Sequence, residues 1–398
     1  MTWVAMTAAA IVLVGLAQLA ASCGTGQVVF DEIVDWDNTT VAYPTASRSG
    51  TSVALIGDVD GDGTGDAAFG SPLADLSDGS VTIVMLNQDG SANSTSVLSK
   101  ATSALTTMLS TQAGQFGTSV GGAGDLNGDS VPDLLVGAPV LGATGKVIII
   151  FLTTDAGVSS VTTIENGVGL GLTTLVAGEL FGSGLATIKG VSTINYATHA
   201  LVGIGLASGQ DRITTQIYGS ILIATLSRVD GSVTAFTLFD HSQSGMAPVT
   251  LGSGFGSAIA AGDVRGTGSP LLAVGAPLYD SARGRVFLVD MDWTLMAITG
   301  MTIVEEGALG WTPTPALGSL SQIGTGVMLA DINADGCVDL ALGAPGAEEI
   351  GPNYGMLAVL LLNSGPSSIA VEAFTRISYS ANPALQSAVT STVRDVRI

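Results

Sequence analysis

Asp125-Leu126-Asn127-Gly128-Asp129-Ser130-Val131-Pro132-Asp133 runs without a break into Leu134-Leu135-Val136-Gly137-Ala138-Pro139. Acidic or amide side chains hold positions 1, 3, 5 and 9 of a nine-residue loop, and an apolar run follows. The same joined unit stands earlier as Asp58-Val59-Asp60-Gly61-Asp62-Gly63-Thr64-Gly65-Asp66 with Ala67-Ala68-Phe69-Gly70-Ser71-Pro72. It stands later as Asp331-Ile332-Asn333-Ala334-Asp335-Gly336-Cys337-Val338-Asp339 with Leu340-Ala341-Leu342-Gly343-Ala344-Pro345. An internal repeat is therefore the organising fact of the chain.

Two further units are weaker. One reads Gly262-Asp263-Val264-Arg265-Gly266-Thr267-Gly268, then Leu272-Ala273-Val274-Gly275-Ala276-Pro277. The other is degenerate, with Phe181-Gly182-Ser183-Gly184 and, later, Leu201-Val202-Gly203-Ile204. Aligning Gly70, Gly137, Gly203, Gly275 and Gly343 gives spacings of 67, 66, 72 and 68 residues. Each period continues with a second apolar run, such as Val81 to Leu86 or Val147 to Leu152, and then a more polar, alternating segment such as Ser160 to Ile164. One period thus reads as four strands, the signature of a β-propeller blade. The expected fold is all-β: a β-propeller of four-stranded blades over residues 27–398, with repeats near 49–115, 116–180, 181–254, 255–322 and 323–398. Two readings of closure stand. Either five blades complete the ring, or they are part of a larger one.

Composition agrees. Of 398 residues, 46% are hydrophobic, 11% are charged and 54 are glycine, which suits short strands and tight turns. The net charge of −21, with Lys100, Lys146 and Lys189 the only lysines, argues against nucleic acid and against an anionic membrane surface as partners. Two cysteines, Cys23 and Cys337, make no disulfide framework. Residues 3–21 are almost wholly apolar and lead into Ala20-Ala21-Ser22-Cys23-Gly24. Residues 1–25 are therefore expected to be a secretory signal or an N-terminal membrane tether, with a loose lipobox at Cys23 as a minority reading. Either places the fold outside the cytoplasm, secreted or at the cell surface.

The acidic loops carry the chemistry. Four like charges held this close call for a hard cation, and oxygen-only donors on a flexible loop favour Ca²⁺. Three sites are expected. The first uses Asp58, Asp60, Asp62 and Asp66 with Thr64 at position 7; the second uses Asp125, Asn127, Asp129 and Asp133 with Val131. The third uses Asp331, Asn333, Asp335 and Asp339 with Cys337. The free variation at position 7 fits a main-chain carbonyl ligand. Asp/Gly-rich turns without metal are the plain alternative, and three copies in register with strands outweigh it. In the fourth unit Arg265 replaces the position-3 acid, and Asp263 is its expected partner. In the third, Lys189 falls near the loop start and the acids are gone.

Phe116-Gly117, Phe181-Gly182 and Phe255-Gly256, each paired downstream with a Gly-Ala-Pro or its remnant, resemble FG-GAP repeats, the modules of the integrin α-subunit propeller and of many secreted proteins. The resemblance covers about residues 49–345. It departs from the pattern at Ser49-Gly50, at Gly70-Ser71-Pro72 and at Ile323-Gly324. It also shows five repeats where integrins have seven, and no leg domains follow. What the resemblance implies is structural calcium on a lower face and a protein or glycan ligand on the opposite face, in adhesion or recognition. A structural module that self-assembles on a surface is the second reading, and a polysaccharide-degrading enzyme the third.

No catalytic residue is assigned. Gly117-Thr118-Ser119-Val120-Gly121 matches a nucleophile-elbow pattern, but it lies inside the repeat, and the only histidines are His199 and His241. Trp293, Trp311 and Tyr279 are expected in packing or, less often, on a binding face. Asn38 and Asn93 head glycosylation sequons.

Overall fold

The computed structural model describes residues 47–109, 113–167, 175–313, 317–347, 355–365 and 368–378. The expected signal or tether, Cys23 and the Asn38 sequon lie outside them. Among the described residues no helix is long and apolar enough to cross a membrane.

Five sheets of four antiparallel strands follow one another along the chain. The first blade holds β1 (Ser52–Gly57), β2 (Asp66–Ser71), β3 (Ser80–Leu86) and β4 (Ala92–Ser99). The second holds β5 (Ser119–Gly124), β6 (Asp133–Ala138), β7 (Lys146–Leu152) and β8 (Val158–Ile164). The third holds β9 (Phe181–Ile188), β10 (His199–Leu206), β11 (Ser220–Ser227) and β12 (Val233–Phe239). The fourth holds β13 (Ile259–Gly262), β14 (Leu271–Ala276), β15 (Arg285–Asp292) and β16 (Ala297–Val304). The fifth holds β17 (Gly326–Ala330), β18 (Asp339–Ala344), β19 (Met356–Gly365) and β20 (Ser368–Ser378). The chain is thus the expected all-β propeller of four-stranded blades.

The burial of each strand follows its sequence. The continuous apolar runs of β2, β3, β6 and β14 are buried along their whole length, because both faces of the sheet meet neighbours. The alternating β8 and β12 expose polar side chains at the rim. Four apolar cores lie between successive blades, the first joining Ile83 and Val81 to Phe116, Leu134 and Ile148. Smaller clusters around Val84 on the first blade and Leu357 on the fifth lie outside these four.

The blades are joined by one repeated device. Gly79 bridges Phe116 in parallel, and Gly145–Phe181, Gly219–Phe255 and Gly284–Ile323 repeat the bridge. Each Phe or Ile is fully buried. The residue before it holds a left-handed backbone at Gln115, Leu180, Gly254 and Gln322, which turns the chain into the joint. A second contact sits beside the first. A methyl group built on Gly137 would lie 2.0 Å from the Gly182 carbonyl oxygen, a distance only a glycine hydrogen allows. Gly70 and Gly275 meet the carbonyls of Gly117 and Gly324 in the same way. Among the described residues no such bridge leads from the fifth blade to the first. A methyl on Gly343 would meet nothing nearer than 3.6 Å, and that within its own blade.

The joint corrects the alignment of the degenerate repeat. Gly205, not Gly203, takes the place of Gly137, since its built methyl would lie 1.8 Å from the Gly256 carbonyl while Gly203 faces only side chains. The spacing from Gly137 to Gly205 is then 68 residues and from Gly205 to Gly275 is 70, more even than before.

Candidate metal centres

Antiparallel order places the β1–β2 and β3–β4 connections of every blade at one end, here the lower, and the β2–β3 and blade-to-blade connections at the other. All three acidic loops are β1–β2 connections or their equivalents, so the structure gathers them at the lower end.

The loop shape comes from its own carboxylates. Asp58 accepts hydrogen bonds from the N–H groups of Gly61 and Gly63 at 2.7 and 2.9 Å. Asp125 accepts from Gly128 and Ser130 at 2.6 and 2.9 Å, and Asp331 from Asp335 and Gly336 at 3.1 and 2.9 Å. Positions 3 and 5 each accept the N–H two residues on, as Asp60 does from Asp62 and Asp62 from Thr64. Positions 4 and 6 are left-handed in all three loops, including the non-glycine residues Ser130 and Ala334. In the fourth blade Asp263 accepts from Thr267 and Gly268, and Gly266 and Gly268 are again left-handed. That loop keeps the shape with no acid at positions 3, 5 or 9.

Position 9 has a role that the sequence did not reveal. Asp66, Asp133 and Asp339 are fully buried. Asp66 accepts from the Val59 N–H at 2.7 Å and the Leu86 N–H at 2.9 Å. Asp133 does the same with Leu126 and Leu152, and Asp339 with Ile332 and Leu362. The register of the third and fourth strands shifts at Leu86, Leu152 and Leu362, a bulge that releases those N–H groups from the ladder. The acid therefore ties its loop to the third strand of the blade. Burial pushes all three carboxyls above their usual range, Asp133 to about 6; the two N–H donors pull the other way, and neighbouring loop acids push further up.

The residues fit a hard divalent cation. Oxygen atoms of Asp58, Asp60 and Asp66 lie within 4.8 Å of one another. The loops offer carboxylate, amide and carbonyl oxygens, and a cation at their centre would relieve the like-charge crowding that raises position 9. The amide nitrogens of Asn127 and Asn333 donate to Asp129 and Asp335, which already pairs positions 3 and 5. The Cys337 thiol is raised, chiefly by the Asp335 charge, and is held as the protonated form rather than as a thiolate ligand.

Other expectations resolve differently. Arg265 pairs with Asp290 on β15, through Nε and Nη2 both at 2.8 Å, and not with Asp263. Asp290 occupies the strand position held by Met85 and Phe151 in the first two blades, so the acid that Arg265 pairs with is particular to this blade. In the third blade the Tyr196 hydroxyl accepts from Val191 N–H and donates to the Ile188 carbonyl, bracing a loop that has no acids. Trp311 and Trp293 are core residues, the latter donating its indole N–H to the Pro270 carbonyl, and neither lies on a binding face. Ser119 of the G-x-S-x-G match is buried and donates to the Gly182 carbonyl at 2.7 Å across the blade joint. Neither histidine approaches it: His241 stacks on Tyr218 and His199 contacts Thr198.

Comparison with known proteins identifies the repeat. The family model described as FG-GAP repeat matches residues 116–150 and 323–357. No curated protein sequence matches the chain. Among solved structures, the chain is similar to the Dos1 propeller at 11% identity and a TM-score of 0.35, over 82% of this chain and 66% of that one. It is also similar to rhamnogalacturonan lyase YesW at 14% identity and a TM-score of 0.30, over 75% of this chain and 57% of that one. The chain spans less than two thirds of either structure, and neither likeness bears on function.

Proposed function

We propose that this β-propeller, built from FG-GAP repeats, is an extracytoplasmic recognition module that calcium stabilises from below and that meets a protein or glycan ligand from above. The observation that carries the proposal is the convergence of Asp58, Asp60 and Asp66 within a loop form that recurs at the same end of the second and fifth blades. Calcium supplies positive charge to buried and crowded carboxylates there. The chain's own work is to hold those oxygens in place through the N–H groups of the loop and, at position 9, through the third strand.

The upper end has a different character. Leu76, Ile213, Leu251, Leu278 and Leu320 are exposed on its loops. Its charges are largely paired within the protein, as in Arg212–Glu179, Arg285–Glu305 and Lys100–Asp78. Paired charge and exposed apolar side chains suit a docking surface better than a catalytic cleft.

The test is a thermal melt in calcium against one in EDTA. A site held at a hundredfold excess over its Kd adds about 2.7 kcal/mol, so three sites add about 8 kcal/mol. At about 1.5 °C per kcal/mol for a fold of this size, Tm is expected to fall by about 12 °C in EDTA. An unchanged melt overturns the calcium reading. Binding to protein and glycan arrays, lost on Leu278→Asp and Leu251→Asp but kept on Asp129→Ala in excess calcium, tests the upper surface.

A further inference from the structure

Arg228 joins two blades through main-chain carbonyls rather than through a carboxylate. It lies in the β11–β12 turn of the third blade, at the lower end, and reaches into the second blade. Its Nη1 donates to the main-chain carbonyl of Asp125 at 2.6 Å, and its Nε points to the His199 carbonyl at 3.4 Å. A methyl built on Gly124 would lie 3.8 Å from its Nη2. Lys100, Lys146, Arg212, Arg265, Arg283 and Arg285 each have a carboxylate partner within 4.0 Å, whereas Arg228 contacts carbonyls only. It is partly buried and is held from its own blade by its N–H, which donates to Thr198. A guanidinium ion is thus fixed against position 1 of the acidic loop that holds Asp125, Asp129 and Asp133.

We propose that Arg228 is a built-in counter-charge that tunes the calcium affinity of the second-blade loop. The inference rests on the calcium reading above. Without metal, the fixed cation offsets the repulsion among three carboxylates and steadies the empty loop. With metal, the same cation repels the incoming ion. The second-blade loop therefore binds calcium more weakly than the first-blade loop, which has four carboxylates at Asp58, Asp60, Asp62 and Asp66. The three sites are graded, and a blade whose own first loop has no acids sets the affinity of its neighbour. In a largely hydrated site, a nearby fixed unit charge changes divalent-ion affinity by about three- to tenfold.

The experiment uses the full chain with the other two sites retired by Asp58→Asn, Asp60→Asn, Asp331→Asn and Asp335→Asn. Calcium is titrated by calorimetry. Arg228→Met is expected to tighten binding about three- to tenfold, and Arg228→Lys, which keeps the charge, to stay near the parent. Weaker or unchanged binding in Arg228→Met, or equal behaviour of Met and Lys, overturns the proposal, because a mere clamp between blades would loosen the loop when cut. A second arm needs no metal. In EDTA, Arg228→Met is expected to lower Tm, and to lower it more in 20 mM than in 500 mM NaCl; a loss independent of salt overturns the counter-charge role. If the parent binds no calcium, the calcium reading fails by itself, and the tuning proposal falls with it, whereas the EDTA arm still decides the electrostatic role of Arg228.

Discussion

Replacing Gly137 with alanine forces a methyl group into the joint between the second and third blades. That methyl would lie 2.0 Å from the Gly182 carbonyl oxygen and 2.2 Å from Ser119 Oγ. An unstrained carbon–oxygen contact needs about 3.3 Å, so the carbonyl must withdraw by about 1.3 Å. The hydrogen bond from Ser119 to Gly182, 2.7 Å long, cannot survive that movement. Its loss costs about 1 kcal/mol and the overpacking about 1–3 kcal/mol. The expected total is about 2–4 kcal/mol, or a Tm drop of roughly 3–6 °C. Gly343→Ala is the matched control, because it holds the same place in the fifth blade and its methyl meets nothing within 3.6 Å. It is expected to change stability by less than about 0.5 kcal/mol. Urea and thermal unfolding of both variants in saturating calcium provide the comparison. Equal losses at the two sites, or none at Gly137, would refute the description of the joint.

Three further outcomes follow from the loops. Ala334→Gly relieves a left-handed alanine and is expected to stabilise by about 0.5–1 kcal/mol in urea melts, with or without calcium. A double-mutant cycle on Arg265→Met and Asp290→Leu is expected to show about 1–2 kcal/mol of coupling that EDTA leaves unchanged; coupling that vanishes in EDTA would mean that the fourth blade holds metal after all. In EDTA, the raised carboxyl of Asp133 makes the folded state take up a proton more readily than the unfolded chain. The stability it contributes is full below about pH 4 and is lost as pH rises through about 6. Melts in EDTA from pH 4.5 to 7 are expected to show this decline, reduced in Asp133→Asn and suppressed by calcium in the parent.

The blade architecture was legible because each strand announces its own environment. Val147 to Leu152 can only be a strand buried on both faces, and Ser160 to Ile164 only one at the rim. The acidic loops were legible for the same local reason, as one stretch holds the whole ligand set. What escaped was contact across blades. Arg228 lies 103 residues from Asp125 and has no motif around it. Asp290 sits in an ordinary strand, whereas Asp263, two residues from Arg265 in sequence, is spent on Thr267 and Gly268. The misplacement at Gly203 has the same origin. Two glycines, 203 and 205, flank Ile204, and only the approach of the Gly256 carbonyl tells them apart.

The separation of the two blade ends bears on how such a chain can change. Stacking is carried by the Phe-Gly joint at the upper end and the acids by loops at the lower end, and in the fourth blade the first is intact where the second is lost. The fourth-blade loop thus exchanges its acids for an Arg–Asp pair while its joints to both neighbours stay in place. Duplicating one unit would add one more joint of the same kind. Blade stacking and the acid content of the lower loops are therefore separable features of this chain.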